Sequence, residues 1–322
     1  MTFVFYTYTT YNKNDSKILR RLKMKTDIQI AQECKLKRIE EIAKKLNLKD
    51  EYYEVYGIAA SLGSRLKWPD NYFVLYHELS WQTYNLHNWR YNFLFDTGKS
   101  NNISYKITLA RNSTDQAVYP REGSDFLVSL QLTPPYSAFR DKNTDYASMT
   151  DQERYRWIEY HKWTFKGSLY VRLVGDLVLM TRAQFGYLGY YNRNLGYSPF
   201  EGYQVGGDGM SGYNTYGSEI ISLRGYSNYS LTPMNDEGIY VGHVYDKFTV
   251  ELRYPVVLQP QSTIFVLAFL EGGNCWENIQ DFNPFEIKRS AGIGVRIMLP
   301  MIGLLGVDWG WGFDPVLDQA GR

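Results

Sequence analysis

Alternation of apolar and polar residues, repeated in one segment after another, is the feature that most constrains the fold of this 322-residue chain. The run from Lys247 to Arg253 is one example, because every second residue in it is apolar. A period of two places the two kinds of side chain on opposite faces of a β-strand. About eleven such segments can be counted, most of them about eight to twelve residues long. The pattern therefore predicts an all-β chain.

The connections between these segments alternate in length. Short turns are predicted at Trp68, Tyr119, Gly175, Pro255 and Pro300, and long loops near Asn12, Leu86, Pro134, Phe200 and Asn274. Alternating short and long connections are typical of up-and-down barrels in a bacterial outer membrane, which have short periplasmic turns and long extracellular loops. We therefore predict a transmembrane antiparallel up-and-down β-barrel with long extracellular loops.

The composition agrees with strands that face lipid on one side and water on the other. Aromatic residues make up 16% of the chain, yet the mean hydropathy is −0.40. No uninterrupted apolar stretch reaches the length of a membrane-spanning helix. The formal net charge of +1 gives no reason to expect a nucleic-acid partner. The competing interpretation is a soluble β-sandwich or a lipid-binding barrel, but soluble strands average about five or six residues.

A long segment over residues 200–233 has a different character. It is rich in glycine and tyrosine and has no hydrophobic period, although it lies between two alternating segments. A loop of this size is usually functional. It contains the tetrapeptide Leu223-Arg224-Gly225-Tyr226, in which a single cation stands beside a glycine and an aromatic residue. This arginine could project into a polar cavity and meet a carboxylate; the alternative is an exposed arginine in an ordinary loop.

Residues 12–50 combine apolar positions near helical spacing with many charges, which predicts an amphipathic helix inside a long loop. Its lysines and arginines could bind anionic lipid or lipopolysaccharide. However, acidic residues are interspersed among them, and this mixture favours a solvated helix face. The segment thus has no assigned function.

Signatures of catalysis and of metal binding are missing from the sequence. The four histidines, His77, His87, His161 and His243, show no HExxH or similar spacing. Cys34 and Cys275 are far apart and indicate neither a disulfide framework nor a metal cluster. The chain also lacks a GxSxG elbow and a phosphate-binding loop. We therefore expect no enzymatic activity, no metal and no cofactor.

Five motifs, in order, give the chain a resemblance to a known family. They are the tetrapeptide with the preceding Gly206-Gly207-Asp208, the turn Tyr119 to Gly123, the strand end Glu251 to Pro255, the run Phe269 to Asn274, and the segment from Asn283-Pro284-Phe285 through Arg289 to Gly294 and on to Pro300. With these motifs, residues 56–314 resemble the Omp85 superfamily, and within it the BamA-like barrels of Bacteroidota. The resemblance implies that residues 1–322 form part of the Omp85 C-terminal barrel domain, also called the bacterial surface antigen domain.

The resemblance also implies a site. The long loop would fold into the barrel lumen, and Arg224 would pair with acidic residues on the two following strands, at the positions of Glu251 and Glu271. The alternation agrees for Glu251, which shares a face with Lys247 and Thr249. It is less regular for Glu271, because the apolar Phe269 shares its face.

The function implied by the resemblance is the folding and insertion of β-barrel proteins into the bacterial outer membrane, by templating client strands at a lateral seam. The implied partners are unfolded barrel clients, accessory lipoproteins of the assembly machine, and a bilayer with lipopolysaccharide. Two alternatives stay open. One is a translocation or secretion barrel of the same superfamily, TamA-like or of the two-partner type, and the other is a passive porin or receptor.

The sequence departs from the family pattern in its extent. The family barrel has about sixteen strands, which is more than the alternation predicts here. Compared with the family, the POTRA domains, roughly the first four strands and the last strand with its terminal aromatic residue would be absent. For the last strand, the residues after Phe313 show no further alternation. We therefore expect an incomplete barrel, a fragment that lacks both seam strands and cannot perform the reaction by itself.

Overall fold

The computed structural model of the protein describes residues 2–11, 52–89, 95–141, 144–209, 217–259, 262–299, 301 and 303–316. For 2–11, it describes the backbone alone. The predicted helical loop over 12–50, with Cys34, and the predicted tail after Asp318 lie outside these residues.

Thirteen strands are present in the described residues. They are β1 (Thr2–Tyr11), β2 (Tyr52–Arg65), β3 (Phe73–His87), β4 (Gly98–Asn112), β5 (Gly123–Leu132), β6 (His161–Val174), β7 (Leu177–Gly189), β8 (Gly202–Val205), β9 (Ser218–Ile221), β10 (Val244–Gln259), β11 (Ser262–Trp276), β12 (Lys288–Leu299) and β13 (Gly303–Gly312). One short helix, α1 (Asp151–Arg154), and two 3-10 turns, Tyr136–Phe139 and Ile279–Asp281, lie in the connections. No described helix has the length and apolar character needed to cross a membrane.

Eleven of the strands form a single sheet in the order β1-β2-β3-β4-β5-β6-β7-β10-β11-β12-β13. Each strand is antiparallel to its neighbours, so the chain runs up and down along the sheet. Within the described residues, β1 and β13 are the two edges. The predicted strand count, the antiparallel up-and-down order and the incomplete barrel are therefore confirmed.

Two predicted connections are wrong in position. A turn was predicted over Pro255 to Gln261, but β10 continues through Pro255 to Gln259. The pairing of β10 with β11 shifts register between Pro255 and Val257, and such an irregularity accommodates a residue that has no N–H to donate. Likewise, β11 continues past Asn274, where a loop was predicted, and ends at Trp276. The strands of the large sheet are therefore longer than the alternation alone indicates.

The two faces of the sheet meet different surroundings. On β10, Val250 is 40% exposed, whereas its neighbours Thr249 and Glu251 are 3% and 4% exposed. The outward Trp309 and Trp311 of β13 are similarly exposed, at 73% and 68%. In a soluble sandwich the apolar faces would share one dry core. Here the apolar face points outwards, as expected for strands that contact lipid.

The inner face is covered at both ends by packed side chains. At the long-loop end, the loop between β7 and β10 packs on the wall in a cluster that includes Tyr53, Tyr84, Phe200, Tyr203, Val205, Ile221, Leu223 and Tyr245. At the short-turn end, a second cluster contains Tyr119, Tyr170, Val178, Met180, Phe265, Leu267 and Phe269. Tyr119 comes from the connection between β4 and β5, and its hydroxyl lies 2.9 Å from the carbonyl oxygen of Asp176 and 3.0 Å from that of Arg253.

A charged residue introduced on the apolar face of the sheet tests whether this face contacts lipid. We expect Val250→Lys to lower the free energy of unfolding by about 2–4 kcal/mol, because the lysine would enter hydrocarbon near the middle of β10. The measurement is urea unfolding of the full-length protein in phospholipid vesicles. Val250→Leu, which keeps an apolar surface, is the control and should leave the free energy unchanged. Equal stability of the lysine variant and the control would contradict a lipid-facing Val250.

Candidate functional site

The loop between β7 and β10 enters the barrel interior through a small framework of its own. β8 and β9 pair in parallel, and Gly207 then forms a β-bridge with Leu223. The Tyr203 N–H also donates to the carbonyl oxygen of Gly242 at 2.8 Å. Leu223 is fully buried in the cluster at the long-loop end. This framework directs the next residue, Arg224, at the inner face of β10 and β11.

Arg224 contacts both carboxylates that the sequence predicted. Its Nη2 lies 2.6 Å from Glu251 Oε1 and 2.8 Å from Glu271 Oε1. The backbone N–H of Arg224 donates to Glu271 Oε2 at 2.9 Å. The three side chains are 12%, 6% and 2% exposed. The structure thus brings the predicted residues together in a largely water-excluded place; their role in function stays a prediction.

Phe269 explains the irregular alternation before Glu271. Its ring centroid lies 3.6 Å from the guanidinium carbon of Arg224, and the residue is 2% exposed. A guanidinium over an aromatic face is attracted by the ring quadrupole. An apolar residue on the inner face of β11 is therefore part of the arginine site. Phe269 looks like an exception in the sequence because the alternation contains no information about its partner.

The ion pairs extend beyond Arg224. Lys247 Nζ lies 3.0 Å from Glu271 Oε1, and Arg253 Nη2 lies 2.7 Å from Glu251 Oε2. Each of the two glutamates therefore pairs with two cations. The Thr249 hydroxyl donates to Glu271 Oε1 at 3.1 Å. The alternation predicted that Lys247, Thr249 and Arg253 share a face with Glu251. This shared face was the sequence feature that pointed to these contacts.

A third carboxylate lies beside Arg224 and was not predicted from the sequence. Asp308 on β13 has its Oδ2 3.5 Å from Arg224 Nη1 and 2.7 Å from Arg296 Nη2. Asp308 lies on the polar face of β13, so the alternation is compatible with a contact between Asp308 and Arg224. The pairing depends on how closely the loop tip approaches β13, and this distance cannot be deduced from the strand pattern.

The loop tip lies directly on β13. Gly225 has a φ of +91°, and a Cβ built on it would be 2.8 Å from the backbone nitrogen of Gly312. A Cβ on Gly310 would in turn be 2.9 Å from the backbone nitrogen of Gly225. Side chains at these positions would push the loop away. The alternating glycines of β13 therefore provide a flat surface for the tip.

Tyr226 fixes the end of the tetrapeptide. Its hydroxyl donates to the carbonyl oxygen of Arg289 at 2.7 Å and accepts from the backbone N–H of Asp314 at 3.3 Å. The side-chain and backbone donors of Arg289 lower the pKa of the Asp314 carboxyl to about 2. Asp314 therefore stays ionised at neutral pH. All four residues of the tetrapeptide thus have a structural role.

The arrangement is suited to holding a loop. Among the described residues, no group of three or more His, Cys, Asp or Glu side chains is placed to bind a metal ion. Both glutamates accept from cations of the protein itself, and Arg224 joins the loop to strands β10 and β11. The ion pairs of this site therefore hold the loop against the inner face of the barrel.

A single antiparallel sheet with an apolar outer face, and a large loop fixed by an arginine against the inner face, defines a membrane β-barrel with an inserted loop. A family model described as the Omp85 superfamily domain matches residues 10–320. The chain belongs to the Omp85 superfamily.

A solved structure agrees with this assignment at the level of the fold. The crystal structure of BamA from Haemophilus ducreyi lacking POTRA domains 1-3 is similar to this chain, with a TM-score of 0.59 and 17% sequence identity. The similarity covers 82% of this chain and 52% of that structure. The chain therefore spans about half the length of the BamA structure that it matches, and its fold is BamA-like.

Removal of one carboxylate should loosen the loop. We expect Glu251→Gln to lower the free energy of unfolding by about 1–3 kcal/mol. This range lies between the small value of an exposed pair and the larger cost of breaking a fully buried one. Trypsin cleavage after Arg224 should increase, and it is readily identified because Arg224 is the one Lys or Arg between Arg193 and Lys247. Unchanged stability together with unchanged cleavage would contradict the pairing.

The contact of the tip with β13 can be tested without changing a charge. Gly310→Val should displace the tip, because its Cβ would lie 2.9 Å from the Gly225 nitrogen and 3.2 Å from the carbonyl carbon of Arg224. Trypsin should then cut after Arg224 as it does in Glu251→Gln. The control is Gly306→Ala on the same strand, where the three atoms nearest to the added Cβ all belong to the side chain of Arg296. Equal protection of the two variants would count against the close approach.

Proposed function

We propose that the chain forms the inserted-loop part of the barrel of an outer-membrane assembly factor, which folds β-barrel proteins and inserts them into the bacterial outer membrane. The partners would be unfolded barrel clients, accessory lipoproteins and the lipopolysaccharide-containing bilayer. The proposed reaction forms backbone hydrogen bonds and makes no covalent bond. It requires neither a cofactor nor a metal.

The observation that carries the proposal is the occupied interior. The loop between β7 and β10 lies against the inner face near the long-loop end, and the Tyr119 cluster packs at the short-turn end. Arg224 holds the loop there with ion pairs to Glu251 and Glu271. A passive porin keeps a water-filled channel. An interior that holds an inserted loop instead favours a function at the barrel wall, where a client strand can pair with the edge of a sheet.

The physical driving force for this reaction is the cost of unpaired backbone in lipid. Each unsatisfied N–H or C=O in hydrocarbon costs several kcal/mol, so an exposed strand edge binds another strand strongly. Addition of a client strand to such an edge is β-augmentation. This chain spans about half of the solved BamA structure. We therefore propose, rather than observe, the seam and any periplasmic domains of the complete protein. In this scheme the Arg224 loop stabilises the barrel while its seam opens.

A second candidate is a translocation or secretion barrel of the same superfamily, TamA-like or of the two-partner type. The observation that favours it is the nature of the tip contacts. Arg224 is held by ion pairs, and the nearby Asp308 side chain is still 22% exposed. Contacts of this kind can be exchanged for water if the loop withdraws. Withdrawal would open the lumen for a passenger segment.

The test is depletion of the full-length protein in its host. We expect several outer-membrane barrel proteins to lose their folded, heat-modifiable form, and the wild-type gene to restore it. Arg224→Lys should restore it poorly, because an ammonium group cannot stack on the Phe269 ring as the planar guanidinium does. It also lacks the second nitrogen that faces Asp308 while Nη2 contacts both glutamates. Normal client barrels, with loss of one secreted protein or of ion conductance, would contradict the assembly function and favour an alternative.

A further inference from the structure

A second buried ion cluster joins the inserted loop to the barrel wall, and it shares no residue with the Arg224 site. Lys162 on β6 has its Nζ 2.9 Å from Glu201 Oε2 and 3.0 Å from Glu219 Oε1. Its side chain is 6% exposed, and that of Glu201 is 10% exposed. The ammonium group also lies 5.1 Å from the ring centroid of Tyr203. Here the wall provides the cation and the loop provides the carboxylates, which is the reverse of the Arg224 site.

The wall orients this cluster through a chain of hydrogen bonds. The Tyr160 hydroxyl donates to Glu201 Oε1 at 3.2 Å. The same hydroxyl accepts from the side-chain amides of Asn102 at 3.2 Å and Gln131 at 2.8 Å. These residues belong to β4, β5 and the segment just before β6. Glu201 therefore accepts from a hydroxyl that is itself oriented by side chains of two wall strands.

The two clusters lie at different depths along the barrel. Lys162 pairs with Leu188, whose N–H donates to the carbonyl oxygen of His243, just before the start of β10. Glu251 lies further along β10, towards the short-turn end. Between these levels, Lys247 Nζ donates to the carbonyl oxygen of Ser222 at 2.6 Å. The wall contacts of Glu219, Ser222 and Arg224 thus follow one another from the loop's root to its tip.

We propose that Lys162 is a positioning residue that anchors the root of the inserted loop, formed by β8 and β9, independently of the Arg224 contacts at the tip. One anchor has its cation on the wall and the other has its cation on the loop. Together they set how far the loop inserts into the barrel, because movement of the loop along the barrel axis would separate the ion pairs at both anchors. The tip can then detach while the root stays in place. The role of two separate anchors rests on the proposed function, in which the tip changes its contacts while the loop remains in the lumen.

Two proteases distinguish the anchors in the folded, vesicle-embedded full-length protein. A glutamate-specific protease reports the root by cleavage after Glu219, and trypsin reports the tip by cleavage after Arg224. In Lys162→Met we expect cleavage after Glu219 to rise about tenfold or more, since two carboxylates lose their buried partner. In Glu251→Gln, trypsin cleavage after Arg224 should rise by a comparable factor. Cleavage after Glu219 should stay close to the wild-type level in that variant, because separate sites act additively.

Lys166→Met is the matched control, because this lysine lies on the same face of β6 but is 43% exposed and 3.8 Å from Glu219. It should change cleavage after Glu219 less than twofold, within the small energy of an exposed pair. Glu201→Gln is the second variant, and it should reproduce the Lys162→Met pattern. Heat-modifiability of the barrel on gels verifies that each variant is folded.

Two results would overturn the inference: wild-type protection of Glu219 in folded Lys162→Met and Glu201→Gln, or equal exposure of Glu219 and Arg224 in every variant. The latter would show that the loop moves as one body. Client assembly is measured separately in complementation. Loss of root protection without any assembly defect would support the anchor and count against the proposed function, so the two can fail independently.

Discussion

The ion pairs of Arg224 with Glu251 and Glu271 are the interaction on which the remaining structure depends. They connect a loop that has no period of its own to two strands of the wall, and they do so where the three side chains are largely shielded from water. A charge in such a place is tolerated only when it is paired and hydrogen-bonded. The additional contacts with Phe269, Lys247 and Arg253 meet this requirement, so the loop can remain inside the barrel at modest cost.

This constraint also accounts for the composition of the strands around the loop. The glycines of β13 allow the loop backbone to approach to van der Waals distance, and the aromatic residues of the same strand face outwards. One face of β13 therefore contacts the inserted loop, and the other face is the apolar outer surface. The Lys162 cluster extends the same logic to the long-loop end, where the polarity is reversed and the wall supplies the cation. The inserted loop is therefore held electrostatically at more than one depth.

The sequence predicted much of this fold because a period of two is a local property. The number of strands in the large sheet, the outward position of Val250 and the inward position of Glu251 all follow from it, and the alternating connection lengths add the up-and-down order. Strand ends were less predictable: Pro255 marks a turn in most contexts, but here an irregular register carries β10 past it. For the site, family resemblance pointed to Arg224, Glu251 and Glu271. The partners Asp308 and Lys162 were missed because their contacts depend on how deeply the loop inserts, which is a long-range property.

The central claim is that Arg224 and Glu271 stabilise the barrel through each other. A double-mutant cycle of Arg224→Met and Glu271→Gln, measured by urea unfolding of the full-length protein in phospholipid vesicles, tests it most directly. The account predicts a coupling energy of about 1–3 kcal/mol, as expected for residues in one buried network. A coupling energy near zero, with the two single effects simply adding, would contradict it.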